Sequence, residues 1–291
     1  NLAVQGAVTR DFTLQAAYVG SRGMKLFSGR NLNEYDPNLR RRPFPEVGPV
    51  IFSENAARSS YHALQISANR RFSGGLSFDA YFTWARVMGY YSSDALGTPV
   101  NTHLQDPLNI AGSTGPKISD LRNRFTTVVS YALPTGALTG SSRVASLFLG
   151  GWAIQGIFNA QTGNTVNVLA GRDMAGVQRV DGQRPDATGI DPYVRDMQTF
   201  RWLTPAAFDV TTPTSQRRYG NLGYNAIYGP GSINLDAALH KSFRVTEGHR
   251  LTFRLEAFNA LNHMNPGNPN NSVPNVNFGN ILNGSGGRNV Q

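Results

Sequence analysis

The sequence predicts an all-β protein: an antiparallel transmembrane β-barrel segment of about eight strands, with short turns at one rim and long loops at the other. Three observations carry that expectation. Apolar and polar residues alternate with a period of two in segment after segment, so that each strand has one greasy and one wet face. The connections between these segments are alternately short and long. Charged residues make up only 15% of the 291 residues, cysteine is absent, and no window approaches the ~18–20 apolar residues of a spanning helix.

The strands follow in order. Leu2, Val4 and Val8 open the chain, and Phe12, Leu14, Ala16 and Tyr18 continue on a second segment across Thr9-Arg10-Asp11. Leu64, Ile66 and Ala68 alternate with Gln65, Ser67 and Asn69 in the third. The fourth is the clearest: Leu76, Phe78, Ala80, Phe82 and Trp84 oppose Ser77, Asp79, Tyr81 and Thr83. Val129, Tyr131 and Leu133 mark the fifth, and Trp152, Ile154, Gly156 and Phe158 a weaker sixth. Ile233, Leu235, Ala237 and Leu239 oppose Asn234, Asp236, Ala238 and His240 in the seventh. Leu251, Phe253, Leu255 and Ala257 oppose Thr252, Arg254 and Glu256 in the eighth.

Each segment has about 8–12 residues, the span of a tilted strand across a bilayer. The wall expected to face lipid is therefore Leu76, Phe78, Phe82, Trp84, Leu235, Leu251, Phe253 and Leu255. The wall expected to face the lumen carries the charges Asp236, His240, Arg254 and Glu256. Trp84, Trp152, Phe72, Phe125 and Phe243 fall near strand ends, at interfacial depth.

Short connections fall at 9–11, at Ser73-Gly74-Gly75, at Thr246-Glu247-Gly248-His249 and, somewhat longer, from Pro134 to Gly150. Long ones fall at about 20–59, 89–122, 163–231 and 262–287. A soluble β-sandwich also alternates, but it seldom tolerates several loops beyond ~12–15 residues, all at one end. Closure follows from solvation: in hydrocarbon an unpaired N–H or C=O costs several kcal/mol, so sheet edges must be joined. Eight strands can close alone with an interior just filled by side chains. The inward rows show no packed set, which favours a piece of a larger barrel cut at both ends.

Lys and Arg total 27 against 18 Asp and Glu, a net charge of +9, and only Lys25, Lys117 and Lys241 are lysines. A basic balance raises nucleic-acid binding. Apart from Arg40-Arg41-Arg42 the arginines are scattered, however, and no recognition helix or aromatic RNA-binding segment accompanies them, so no nucleic-acid partner is expected. An arginine-rich surface also suits anionic lipid head groups.

Several stretches resemble a known family. Tyr61-His62-Ala63-Leu64-Gln65, Arg70-Arg71-Phe72-Ser73-Gly74-Gly75-Leu76 and Gly150-Gly151-Trp152-Ala153-Ile154 are similar to the C-terminal half of Oar-like TonB-dependent receptors. So are Gln161-Thr162-Gly163, Tyr219-Gly220-Asn221-Leu222-Gly223, Gly229-Pro230-Gly231 and the run from Arg254 to His263. The resemblance spans about residue 56 to the end, in order. It implies a 22-stranded outer-membrane barrel with an N-terminal plug, through which an inner-membrane energy-coupling complex drives uptake. The plug, the energy-coupling box and an aromatic-ended last strand are not in this sequence, so residues 1–291 are expected to be the C-terminal part of such a barrel.

Catalytic constellations are thin. His62, His103, His240, His249 and His263 lack metalloprotease spacing, and there is neither a nucleophile elbow nor a phosphate loop. Asp173, Asp181, Asp186 and Asp191 lack a calcium-loop pattern. No enzyme activity, metal or cofactor is expected. The candidate ligand contacts are Arg172, Arg179, Arg184, Arg195, Trp202, Tyr219 and Tyr224 in the longest loop, with Arg40, Arg41 and Arg42 in the first. Expected partners are outer-membrane lipid and a bulky ligand, whether peptide, protein or saccharide. The runner-up is a non-transporting surface barrel or adhesin.

Overall fold

The computed structural model describes residues 1–90, 104–118, 120–134, 143–211, 217–244, 246 and 248–291. His103, the middle of the 89–122 connection, residues 135–142 of the 134–150 connection and Glu247 lie outside the described residues. Eight long strands form one antiparallel sheet in chain order: β1 (Leu2–Thr9), β2 (Phe12–Asn31), β3 (Ile51–Ser73), β4 (Leu76–Gly89), β5 (Asn123–Ala132), β6 (Trp152–Gln161), β7 (Ser232–Arg244) and β8 (Arg250–Phe258). Asn289–Val290 adds a short β9 beside β8. Among the described residues β1 pairs only with β2 and β9 only with β8, so the sheet is an open wall.

The register fixes the two faces. Val4, Ala16, Ile66, Phe82, Phe125, Ala160 and Ile233 stand in one cross-strand row. Leu76, Tyr131, Ile154, Leu239 and Leu255 stand in another row on the same face. Aromatic pairs knit this apolar face: Phe12 with Phe78, Phe125 with Phe158, and Phe243 with Phe253, ring centres 5.7–6.1 Å apart. The opposite face is held by polar ladders. Asn69 Nδ2 donates to Asp79 at 2.8 Å, Thr126 Oγ1 to Asn159 at 2.9 Å, and Ser242 and Thr252 hydroxyls meet at 3.0 Å. Such pairs across neighbouring strands are what stabilise a single-layer sheet.

Lys241 is a charged residue on the apolar face. It is 4% exposed, and its ammonium lies 5.3 Å from the Trp152 ring centre and 4.8 Å from that of Phe243 while donating to the Gly150 carbonyl. The aliphatic stem covers apolar surface and the charge finds the aromatic faces and carbonyl at the strand end.

The turn at Gly74 and Gly75 takes φ of +59° and +85°, which glycine adopts without strain. One expected loop bound is corrected. The 20–59 connection is largely strand, because β2 runs to Asn31 and β3 begins at Ile51, leaving 32–50 as loop. Alternation fades there, since the pairing slips between Gly23, Leu26 and Ser28 and Lys25 has φ +55°. The 134–150 connection contains a short helix, α1 (Arg143–Leu149), whose Phe148 carbonyl accepts from the Trp152 indole at 3.0 Å. The 163–231 connection is not a structureless loop either. It carries its own ladders and most of a buried apolar cluster.

Candidate functional site

Beyond the tops of the strands, the long connections fold together into one body. Thr165–Val166 pairs with Ile227–Tyr228, continuing β6 and β7 past the sheet. Glycine makes this exit possible, since a Cβ on Gly163 would run into the Gly229 carbonyl. Above that ladder Val166, Val168, Leu203, Ala207, Phe208, Leu222, Ile227 and Phe278 form a buried cluster, with Phe208 and Phe278 edge-to-face at 5.4 Å. Residues 262–287 join it through bridges from Leu169 to Ser272 and from Arg201 to Asn280.

Polar side chains lock the connections to one another. Arg179 Nε lies 2.7 Å from Glu34 in the first loop, and its Nη2 donates to the Gln105 carbonyl at 3.0 Å in the second. Arg184, 2% exposed, donates to the carbonyls of Leu222 at 2.8 Å and Gly112 at 3.0 Å. Burial pushes its guanidinium down to about 10, against the raising influence of Tyr224. Gln105 accepts from Arg184 N and donates to the Gly220 carbonyl, both at 2.8 Å. Fully buried Gln183 accepts from Met174 N and Ala175 N and donates to Asp173. Arg218 grips Asp186 with both terminal nitrogens, at 2.7 and 2.8 Å.

Where this body meets the sheet, Asp120 is fully buried. It accepts from Val87 N on β4, from Arg122 Nε at 3.0 Å and from the Tyr228 hydroxyl at 2.6 Å. Burial and that hydrogen bond to Asp120 push the Tyr228 phenol up, and Arg122 works against them.

The candidate ligand contacts divide accordingly. Arg179, Arg184 and Tyr224 are braces or core, and half-buried Tyr219 is pushed up by burial. Arg172 is exposed, with one bond to the Val210 carbonyl. In the first loop Arg40 and Arg41 are exposed while Arg42 donates to the Asn33 carbonyl at 2.9 Å. Trp202 donates to the Tyr228 carbonyl at 2.8 Å, and Arg195 lies 4.5 Å over the Tyr193 ring, which meets Trp202 edge-on. This aromatic shelf overhangs the apolar face above Phe82, Phe125 and Ile233, enclosing a groove of about 850 Å³. Asp120, Gln105, Gln183 and Tyr228 escaped sequence reasoning, because their partners lie far away in the chain.

On the sheet itself, Leu76, Phe78, Phe82, Trp84, Leu235, Leu251, Phe253 and Leu255 share the apolar face, and Asp236, His240, Arg254 and Glu256 share the other. The charges expected to face the lumen do not form one cluster. Arg254 pairs with Glu256, whereas Asp236 accepts from Asn234 Nδ2 at 2.9 Å and Asn259 N at 2.8 Å. The reason is register: Arg254 stands opposite His240, and Asp236 lies beyond it toward the strand end. A hollow of about 290 Å³ on this polar face is lined by Val128, Ile157, Asp236, Arg254 and Glu256. Among the described residues no group of three or more His, Asp or Glu is placed to hold a metal.

A family model described as the outer membrane beta barrel domain matches residues 1–291. No curated protein matches the sequence. Among solved structures, the outer membrane transporter YddB from Escherichia coli superposes with a TM-score of 0.50 at 10% identity. That alignment covers 99% of this chain and 30% of the transporter, so the chain spans under a third of that neighbour's length.

Proposed function

The chain belongs to the outer membrane β-barrel domain family, and we propose that it forms the C-terminal part of a TonB-dependent, Oar-like receptor barrel. In this reading its loops bind a bulky ligand outside the cell, and the intact 22-stranded barrel passes that ligand inward around a plug. The apolar face meets outer-membrane lipid and the polar face lines the lumen. The work is recognition and gated passage, with no covalent chemistry.

The observation that carries this reading is the joining of the long connections into a single braced body at one rim of the sheet. Arg179, Arg184 and Gln105 hold three connections in fixed relation. Preorganised loops lose less freedom on binding than independent ones would. An energised receptor needs such a mouth, while the inner-membrane coupling complex acts from the far side through the plug.

Whole cells carrying the full-length protein provide the test. Fluorescent peptides, proteins and saccharides are offered, and their periplasmic accumulation is followed with and without a protonophore. Protonophore-sensitive accumulation of one class, lost on deletion of the gene, supports the receptor. Surface binding that depends on the gene, with no energised accumulation of any class, identifies a non-transporting barrel or adhesin instead.

A further inference from the structure

The apolar face ends abruptly where β2, β3 and β4 rise toward the loops. Tyr18, Leu64 and Trp84 form its last apolar row, and Tyr18 and Trp84 are 47% and 56% exposed. One step up, Gly20, His62 and Arg86 stand in register, and the next step brings Arg22, Ser60 and Met88. Successive rows on one face lie about 7 Å apart. Arg58 follows on the same face of β3, two residues beyond Ser60. Between these strand tops lies an open groove of about 510 Å³, lined by Arg22, Arg58, Ser60, His62 and Tyr90 among others, with no carboxylate among the described residues of its walls.

The charges are available. Arg22, Arg58 and Arg86 are exposed, and among the described residues none of the three forms an ion pair. His62 is already oriented, its Nδ1 2.6 Å from the Tyr18 hydroxyl and its ring stacked on the tyrosine. An apolar wall, then an interfacial Tyr–Trp row, then two arginines with the Ser60 hydroxyl, reproduces the polarity profile of one lipid: tails, interface, anionic head.

We propose that this groove binds the phosphorylated head group of an outer-leaflet lipid, with its acyl chains lying along Leu64, Ile66, Phe82 and Trp84. Arg22 and Arg58 pair with phosphate oxygens, which guanidinium groups suit by geometry as well as charge. Ser60, opposite Arg22 on the same face, stands beside them in the groove wall as a hydroxyl partner for the head group. The assignment rests on the apolar face being the lipid-facing one and on the loop rim lying outside, but not on transport.

The test uses the full-length protein extracted from outer membranes in mild detergent, with bound lipid read by native mass spectrometry. The unaltered protein retains a phosphorylated lipid through exchange into fresh detergent. The double variant Arg22→Gln/Arg58→Gln retains about tenfold less or lower still, with an unchanged melting temperature. Should that variant fail to fold, Arg58→Gln alone shows the same loss in smaller measure. In delipidated unaltered protein, added phosphatidylglycerol restores occupancy and inorganic phosphate does not; in the double variant neither does. Undiminished retention in both variants overturns the site, and so does displacement of the lipid by inorganic phosphate. A nitroxide on Leu64→Cys separates the two readings. If dissolved oxygen relaxes it faster than a water-soluble nickel chelate does, the face meets lipid, and only the head-group assignment falls. The reverse preference overturns the outward orientation as well.

Discussion

Arg179 reaches across 145 positions of sequence to set its Nε 2.7 Å from the Glu34 carboxylate. Both side chains are largely shielded, at 19% and 12% exposure. A hydrogen-bonded ion pair so placed joins the first loop to the longest one, and the Arg179 bonds to the Leu104 and Gln105 carbonyls add the second. The described loops at this rim of the sheet thus form one folded object, stapled by guanidinium groups.

Arg179→Ala is therefore expected to loosen the loops while leaving the sheet intact. Losing charge-assisted hydrogen bonds and stranding Glu34 costs about 1.5–3 kcal/mol of local stability. Protease added to intact cells should cut within 32–50 or 163–231 faster than in the unaltered protein. The heat-modified gel mobility of the barrel should not change. Equal cutting rates would show that the staple contributes nothing.

Gly163 tests the path of β6 out of the sheet. Its missing side chain leaves room for the Gly229 carbonyl, and a methyl group there must displace backbone rather than a flexible side-chain end. Gly163→Ala is expected to cost about 1–3 kcal/mol, the usual range for overpacking. Faster hydrogen exchange at Ile227 and Tyr228, with β3–β4 amides unaffected, is the signature.

These two positions also mark what the sequence reveals and what it hides. The alternation from Leu76 to Trp84 was legible because a sheet between two solvents must repeat every second residue. Leu76, Phe78, Ala80, Phe82 and Trp84 share one face. The ends of β2 and β3 were not legible, since beyond the apolar rows both faces are polar and the period loses its contrast. The loop body was hidden for another reason. Fully buried Gln183 and Asp120 look like ordinary loop polarity in sequence, and only long-range carbonyls and amides make them structural. Arg179 and Arg184 were legible as arginines in a recognition loop but not as braces. The glycine-rich motifs, Gln161-Thr162-Gly163 and Gly229-Pro230-Gly231, were visible as patterns before their close backbone approach gave them a cause.

Tyr228 offers a pH-dependent prediction. Its phenol is raised above the ordinary value of 10.0 by burial and by its hydrogen bond to Asp120. A group whose folded-state value is raised contributes stability below its unfolded value and loses it as pH climbs through the folded one. The stability difference between the unaltered protein and Tyr228→Phe should thus be constant below about pH 10 and shrink above it. Asp120→Ala is the harsher change. It leaves Arg122 and the Val87 amide without their buried acceptor, and is expected to cost about 3–5 kcal/mol. Denaturant melts of both variants across pH check the two statements together, and a Tyr228 difference that grows above pH 10 would contradict the first.

Arg254 separates bracing from passage. Its pair with Glu256 is open to solvent, at 54% and 28% exposure, and sits on the polar face beside the hollow lined by Val128 and Ile157. An exposed pair contributes about 0–1 kcal/mol, so Arg254→Ala should barely move the melting temperature. If the polar face lines the route of the ligand, removing its cation changes the field that the ligand meets. Uptake then falls while surface binding and melting stay as they were, and Arg254→Lys restores much of it. If the pair instead braces the wall, melting falls with uptake, and lysine restores neither fully because the guanidinium fork is gone. Measuring melting, surface binding and energised uptake on the same three proteins decides between a pore lining and a strut.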